Sequence, residues 1–144
     1  MAGLYGEYRH KLDAKGRLSL PAPIRKTLTE ETQLVIVPDT KGEFLSVYTA
    51  EAFDAWVEAV FEKRGGYDPN NRTHMLLRMA LNGSATPAAM DGSGRINVPT
   101  KLREKAGIDK EVVLVGNTDR FDIWDSQRWD DMQQTIDLDA LLYS

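Results

Sequence analysis

The sequence predicts an α+β protein made of two fused half-domains, and three observations carry this. First, a nine-residue module occurs twice, as Asp13-Ala-Lys-Gly-Arg-Leu-Ser-Leu-Pro21 and Asp91-Gly-Ser-Gly-Arg-Ile-Asn-Val-Pro99. Second, the shift of 78 that aligns these modules also lays Ile24 and Arg25 on Leu102 and Arg103, and residues 34–37 on 112–115. Third, after two extra loop residues in the first copy, a shift of 76 lays Leu45-Ser-Val-Tyr48 on Phe121-Asp-Ile-Trp124 and Phe53-Asp54 on Trp129-Asp130. A single change of register inside a loop is what a duplication leaves behind. The period is far longer than a solenoid repeat, so it implies two fused halves. The expected division is a first module at 5–52, a helical insertion at 53–81, a second module at 82–125, and a C-terminal helix and tail at 126–144.

Each half opens with a strand, about 6–12 or 84–90, that enters a glycine-bearing turn. Glycine accepts the positive φ such a turn demands. The aspartate at its start can accept bonds from the amides just beyond it. A short strand follows, then Pro21 or Pro99, then a short helix, about 21–28 or 99–106. Proline suits a helix start because its missing donor is not needed there, and it keeps the residue before it extended. Gly107 fits a helix exit. Two β-rich runs complete each half: 34–37 and 45–48 in the first, 112–115 and 121–124 in the second. Residues 45–48 alternate in polarity, whereas in 121–124 the apolar residues do not keep one strict face.

Helices follow each copy, with Thr49 and Asp125 as N-cap candidates. Phe53, Trp56, Val57, Val60 and Phe61 recur at helical spacing and read as a core stripe, with a partner surface as the alternative. Arg64-Gly65-Gly66-Tyr67 breaks that helix, and Asp68-Pro69 reads as the cap and first-turn proline of the next. Met75, Leu76, Met79 and Ala80 give this next helix an apolar side. The tail from Ile136 is short and acidic with scattered leucines.

The composition, 42% hydrophobic and 28% charged, is that of a globular chain able to bury a core, although two separate half-size cores would each be marginal. With no cysteine and only His10 and His74, there is no material for disulfides or for a thiolate or histidine metal cage. No phosphate-cradling loop or nucleophile elbow is present, and Asp130 and Asp131 diverge on a helix, so no catalytic residue, cofactor or metal is expected. No apolar run reaches the ~18 residues of a membrane span, and the start Met-Ala-Gly-Leu-Tyr-Gly-Glu lacks the basic flank and apolar stretch of a signal peptide. Net charge is −4 but uneven: residues 1–26 hold six bases against two acids, and 107–144 hold three bases against nine acids. Such a chain can present a basic face while remaining acidic overall.

Asp-x-x-Gly-Arg alone is a weak pattern; the arginine either pairs back to its aspartate or points outward to a phosphate or base edge. Followed by apolar-x-apolar-Pro and present twice, it is specific. With Gly6-Glu7-Tyr8-Arg9-His10-Lys11-Leu12-Asp13-Ala14-Lys15-Gly16-Arg17, the second motif from Asp91 to Arg95, Val113-Leu-Val-Gly116 and Arg120-Phe121-Asp122-Ile123-Trp124, the chain resembles the MraZ family over about residues 4–132. These are regulators encoded at the head of bacterial division and cell-wall gene clusters, within the AbrB-like swapped-hairpin superfamily. The resemblance implies two AbrB-like swapped-hairpin half-domains sharing a β-rich core with peripheral helices. It implies a ring-like homo-oligomer that binds double-stranded DNA at short direct repeats upstream of its own gene cluster. It also implies a cytoplasmic, nucleoid-associated protein. The family's DNA-contacting turn carries over to Asp13, Lys15 and Arg17.

Within that resemblance Arg17 is the first candidate for a DNA contact and Lys15, at the turn tip, the second. Arg9 and Lys11 share one face of the strand leading in and are expected to widen the basic surface. Asp13, Gly16, Pro21, Asp91, Gly94, Arg95 and Pro99 are expected to hold the architecture. Two departures from the family remove positive charge: Pro23 in the first short helix, and Gly92-Ser93 in the second turn. The second copy is therefore expected to be structural or a subunit contact. A competing reading is a protein-interaction module that sequesters a neighbouring gene product, such as an rRNA methyltransferase, through the Phe53 stripe or the acidic tail. An antitoxin of the AbrB-like group fits less well, because those carry one module and a disordered tail.

Overall fold

The computed structural model describes residues 3–144. Met1 and Ala2, the start of the stretch read as lacking a leader, lie outside the described residues. In chain order the elements are β1 (Glu7–Lys11), β2 (Arg17–Ser19), α1 (Ala22–Arg25), β3 (Leu34–Pro38), β4 (Leu45–Thr49), α2 (Ala50–Glu62), α3 (Arg72–Ser84), β5 (Thr86–Ala88), β6 (Arg95–Asn97), α4 (Thr100–Lys105), β7 (Glu111–Asn117), β8 (Arg120–Asp125), α5 (Ser126–Gln133) and α6 (Leu138–Leu142).

The two halves interleave. One antiparallel sheet runs β1-β7-β8-β4-β3-β5, and a separate two-stranded arm pairs β2 with β6. Exchanging each strand for its repeat counterpart turns the six-strand order into its own reverse. The pairing registers obey the same rule: Val35 faces Pro87 as Val113 faces Arg9. An internal two-fold axis therefore passes between β4 and β8, where Ser46 opposes Asp122, and through the arm, where Leu18 opposes Ile96. This is the α+β architecture of two fused half-domains that the duplication implied.

One large core lies between the sheet and the arm. Leu18, Leu20, Ile24, Ile96, Val98 and Leu102 meet Leu34, Ile36, Leu45, Val47, Val112, Leu114, Phe121 and Ile123 there. Sharing one core solves the problem that two half-size cores would pose. The opposite face of the sheet is covered by helices: Tyr48 packs with Phe53, Val57 and Phe61 of α2, and Val113 with Trp124 and Trp129. Phe53, Val57 and Phe61 of the stripe are thus core, with Trp56 half-buried against them. Because both faces are covered, β4 and β8 are buried at consecutive positions, which explains why 121–124 keep no strict alternation.

Caps follow the sequence reading at Thr49, whose side chain accepts from the Ala52 amide, and at Asp125, which accepts from that of Arg128. Gly107, at φ 63°, ends α4 with the Ile108 amide donating to the Arg103 carbonyl, a Schellman arrangement. Five boundaries differ. Pro21 and Pro99 stand at the N-cap, one residue before the helix, and their carbonyls accept its first bonds. Pro23 lies in the first turn of α1, where no amide donor is required. Helix α1 stops at Arg25, and Thr27 and Leu28 continue with tighter bonds to the third residue back. The cap of α3 is Asn71, which accepts from the His74 amide at 3.1 Å; Asp68 instead accepts from Asn70 in a local turn. The expected strand at 84–90 narrows to β5 because α3 runs through Ser84, and Pro87 is tolerated since β5 is an edge strand.

Candidate nucleic-acid interface

The two repeated turns have one construction. In the first, Asp13 Oδ1 accepts from the amides of Lys15 and Arg17, both at 2.9 Å, while Oδ2 accepts from Arg17 Nε at 2.6 Å. In the second, Asp91 Oδ1 accepts from the amides of Ser93 and Arg95 at 2.8 and 3.0 Å, and Oδ2 from Arg95 Nε at 3.1 Å. Gly16 and Gly94 close the turns at φ 80° and 76°. The Arg17 amide, with its guanidinium and the Lys15 amide, holds the Asp13 carboxyl below its ordinary range against the cost of desolvation; the Arg95 and Ser93 amides and the Arg95 guanidinium do the same for Asp91.

This geometry joins the two alternatives left open for the arginine. Asp13 takes only Nε of Arg17, and among the described residues neither terminal nitrogen finds a hydrogen-bond partner. The guanidinium is oriented by the aspartate while its outer edge is left for an acceptor, the fork geometry suited to phosphate or guanine. Lys15, at the tip, is exposed.

Neither turn is made by one half alone. The Val98 amide donates to the Gly16 carbonyl at 2.8 Å, and the Leu20 amide to the Gly94 carbonyl at 2.9 Å. Arg103, anchored on the Val98 carbonyl and the Thr100 hydroxyl, brings its Nη2 to 2.9 Å from where a Cβ on Gly16 would stand. Arg25 lies over Gly94 in the same way, its Cδ 2.5 Å from such a Cβ. Arg25 and Arg103, counterparts in the two repeats, thus take the same place across the halves, Arg25 at the second turn and Arg103 at the first. Sequence spacing held no signal for this, because the contact spans the halves. A hollow of about 270 Å³ beside the first turn is lined by Leu12, Asp13, Ala14, Arg103, Ile108, Asp109 and Lys110. The second turn instead has an acid at hand: Glu30 Oε1 lies 2.9 Å from where a Cβ on Gly92 would be.

Lys15, Arg17 and Arg103 are therefore brought together; Arg9 and Lys11 are not brought to them. Tyr8 packs on the main core, so by alternation Arg9 and Lys11 face the α5 side of the sheet. Arg9 is bound to Asp130 at 2.6 Å, with Ser126 and Glu7 nearby, and Lys11 lies 3.6 Å from Glu111. The three tryptophans pack inside: Trp124 stacks on Phe44 and meets Trp129 edge-on, and Trp56 lies against Tyr48. One polar group escaped the sequence reading. Asp122, buried, accepts from Ser46, Arg120 and Asn117, and Arg120 reaches on to the Tyr48 hydroxyl.

Among the described residues no cluster of His, Cys, Asp and Glu could hold a metal ion, and no helix is long and apolar enough to cross a membrane.

The family model described as "MraZ protein, putative antitoxin-like" matches residues 4–65 and 81–140, the two halves in turn. The chain is 33% identical over 138 residues to a protein of Ruegeria sp. named transcriptional regulator MraZ, covering 89% of this chain and 80% of the relative. It is 37% identical over 131 residues to the protein of that name from Yersinia enterocolitica, with 90% and 83% covered. It is 40% identical over 121 residues to that of Thioalkalivibrio sulfidiphilus, with 82% and 77% covered. Two matched repeats and relatives covered over most of their length place this chain in the MraZ family.

Proposed function

We propose that the chain is a transcriptional regulator that binds double-stranded DNA through the first turn, working in the cytoplasm on the nucleoid. Arg17 contacts a base edge or phosphate, Lys15 contacts phosphate, and Arg103 adds charge beside them. The single observation behind this reading is the turn itself: Asp13 fixes Arg17 by one nitrogen and leaves two outward, next to an exposed lysine. The name shared by the relatives supports a regulatory role. The two modules, 5–52 and 82–125, build one platform; the second turn, with Glu30 beside it, serves architecture. One turn supplies few contacts, so specific binding comes from several copies in a homo-oligomer, each placing its turn on one of several direct repeats upstream of its own gene cluster. Linking weak contacts in this way raises avidity by effective concentration.

A mobility-shift titration on DNA from upstream of the chain's own gene tests this. Arg17→Ala abolishes the specific shift while the assembly keeps its size. Wild-type affinity in that variant would remove Arg17 from the interface, and a wild-type protein with no DNA affinity would overturn the reading.

A further inference from the structure

Among the described residues eight large apolar side chains are exposed. Apart from Tyr5 they fall in two places: Leu76 and Met79 on α3, and Ile136, Leu138, Leu141, Leu142 and Tyr143 around α6. On α3 the inward side, Leu77 and Leu81, packs on the α2 cluster. The outward side carries Leu76, Met79, Ala80 and Gly83, one helical face by spacing, and a Cβ on Gly83 would meet nothing within 4 Å. On α6, Leu138, Leu141 and Leu142 form a matching stripe. Helix α6 has five residues and no buried side chain. A helix that short is not stable alone in water and needs a surface to pack on.

The two patches carry opposite charge. The outward side of α3 carries Arg72 and no acid, Arg78 being turned the other way over the Tyr67 ring; the tail beyond Asp130, which Arg9 holds, carries Asp131, Asp137 and Asp139 and no base. They also sit at opposite edges of the sheet. Helix α3 leads into the edge strand β5, whereas α5, from which α6 emerges, reaches the other edge strand through the Asp130–Arg9 pair. Two different, complementary patches at opposite edges make a head-to-tail contact, which closes into a ring or extends as a filament.

We propose that α6 of one copy docks on the outward face of α3 of the next, Leu138, Leu141 and Leu142 covering Leu76, Met79, Ala80 and Gly83, with the tail aspartates beside Arg72. This rests on the homo-oligomeric part of the reading above and names the joint. It does not involve the DNA-facing turn.

The test uses the full chain with Met79→Glu on one patch or Leu141→Lys on the other, sized by light scattering, with circular dichroism to verify folding. Each variant alone loses the wild-type assembly and runs as a monomer. Mixed in equal amounts, they form a dimer that grows no further, because only one joint can be made between them. Wild-type size in either variant would overturn the joint, as would two monomeric variants that fail to pair. A wild-type chain that is itself monomeric would overturn the oligomer reading at its root. Retained weak binding of either variant to a single DNA repeat separates loss of the joint from loss of the turn.

Discussion

Ser46 and Asp122 are the same position of the two repeats, and they meet on the internal two-fold axis with the serine hydroxyl donating to the carboxylate at 2.7 Å. A symmetric dimer of single modules would place two identical residues here, either two hydroxyls or two repelling carboxylates. The fused chain carries one of each, and Arg120 and Asn117 complete the carboxylate's bonding.

Removing either partner should show in stability. Ser46→Ala lowers the unfolding free energy by about 2 kcal/mol, the scale of a hydrogen bond to a charged group. Asp122→Ala costs about 3 kcal/mol, because Arg120 is left without its buried partner. Urea denaturation with an unchanged slope for both variants checks this; a neutral Asp122→Ala would show that the network contributes nothing.

The glycines at φ 80° and 76° should not accept a side chain. Gly16→Ala and Gly94→Ala each cost about 2 kcal/mol from the left-handed backbone alone, before any collision. The collisions differ. At Gly94 the nearest atoms belong to the Arg25 side chain, whereas at Gly16 the Val98 carbonyl also stands at 3.0 Å. Arg25→Ala therefore recovers part of the Gly94→Ala loss and none of that of Gly16→Ala, which thermal melts of the single and double variants resolve.

Charge contacts should separate by salt. Lys15→Ala weakens DNA binding evenly across sequences and reduces the slope of log affinity against log salt by about 1. Arg9→Ala leaves that slope at the wild-type value, since Arg9 is held by Asp130 on the other side of the sheet. Binding titrations from low to moderate salt read both slopes.

Acid should loosen the turns. Asp13 and Asp91 are held below the ordinary carboxylate range, chiefly by the amides of Arg17 and Arg95. A carboxylate depressed in the folded state contributes stability above its unfolded pKa, about 4, and that contribution is lost as pH falls through the lower folded value. Stability thus declines below pH about 4, and the double variant Asp13→Asn, Asp91→Asn flattens that acid limb. An unchanged limb would remove the two turns as its source.

Much of the fold was legible because duplication printed it twice. The aspartate–amide and aspartate–arginine bonds within each turn and the caps at Thr49 and Asp125 all depend on residues near one another in sequence. Other features depend on residues that meet only after the halves interleave. Arg103 reaches Gly16, Arg9 meets Asp130, and Ser46 meets Asp122, each across most of the chain or between halves. The cap of α3 was missed for a local reason: Asp68-Pro69 carries the stronger start signal, but Asp68 spends its side chain on Asn70, and Asn71 caps the helix. On α3 the apolar residues spread over two sides, so spacing alone did not tell the packed side from the exposed one.

The reciprocal arginines have a consequence for inheritance. Arg25 is encoded in the first half yet packs against the second turn, and Arg103 is encoded in the second half yet packs against the first. A lesion in one half is therefore expressed as a defect in the other, and a genetic map of damaged turns would point to the wrong repeat. The halves cannot drift independently: each selects on its sibling's sequence. A chain cut between α3 and β5 regains the cross-half bonds of its turns, Val98 to Gly16 and Leu20 to Gly94, only by complementation between the fragments.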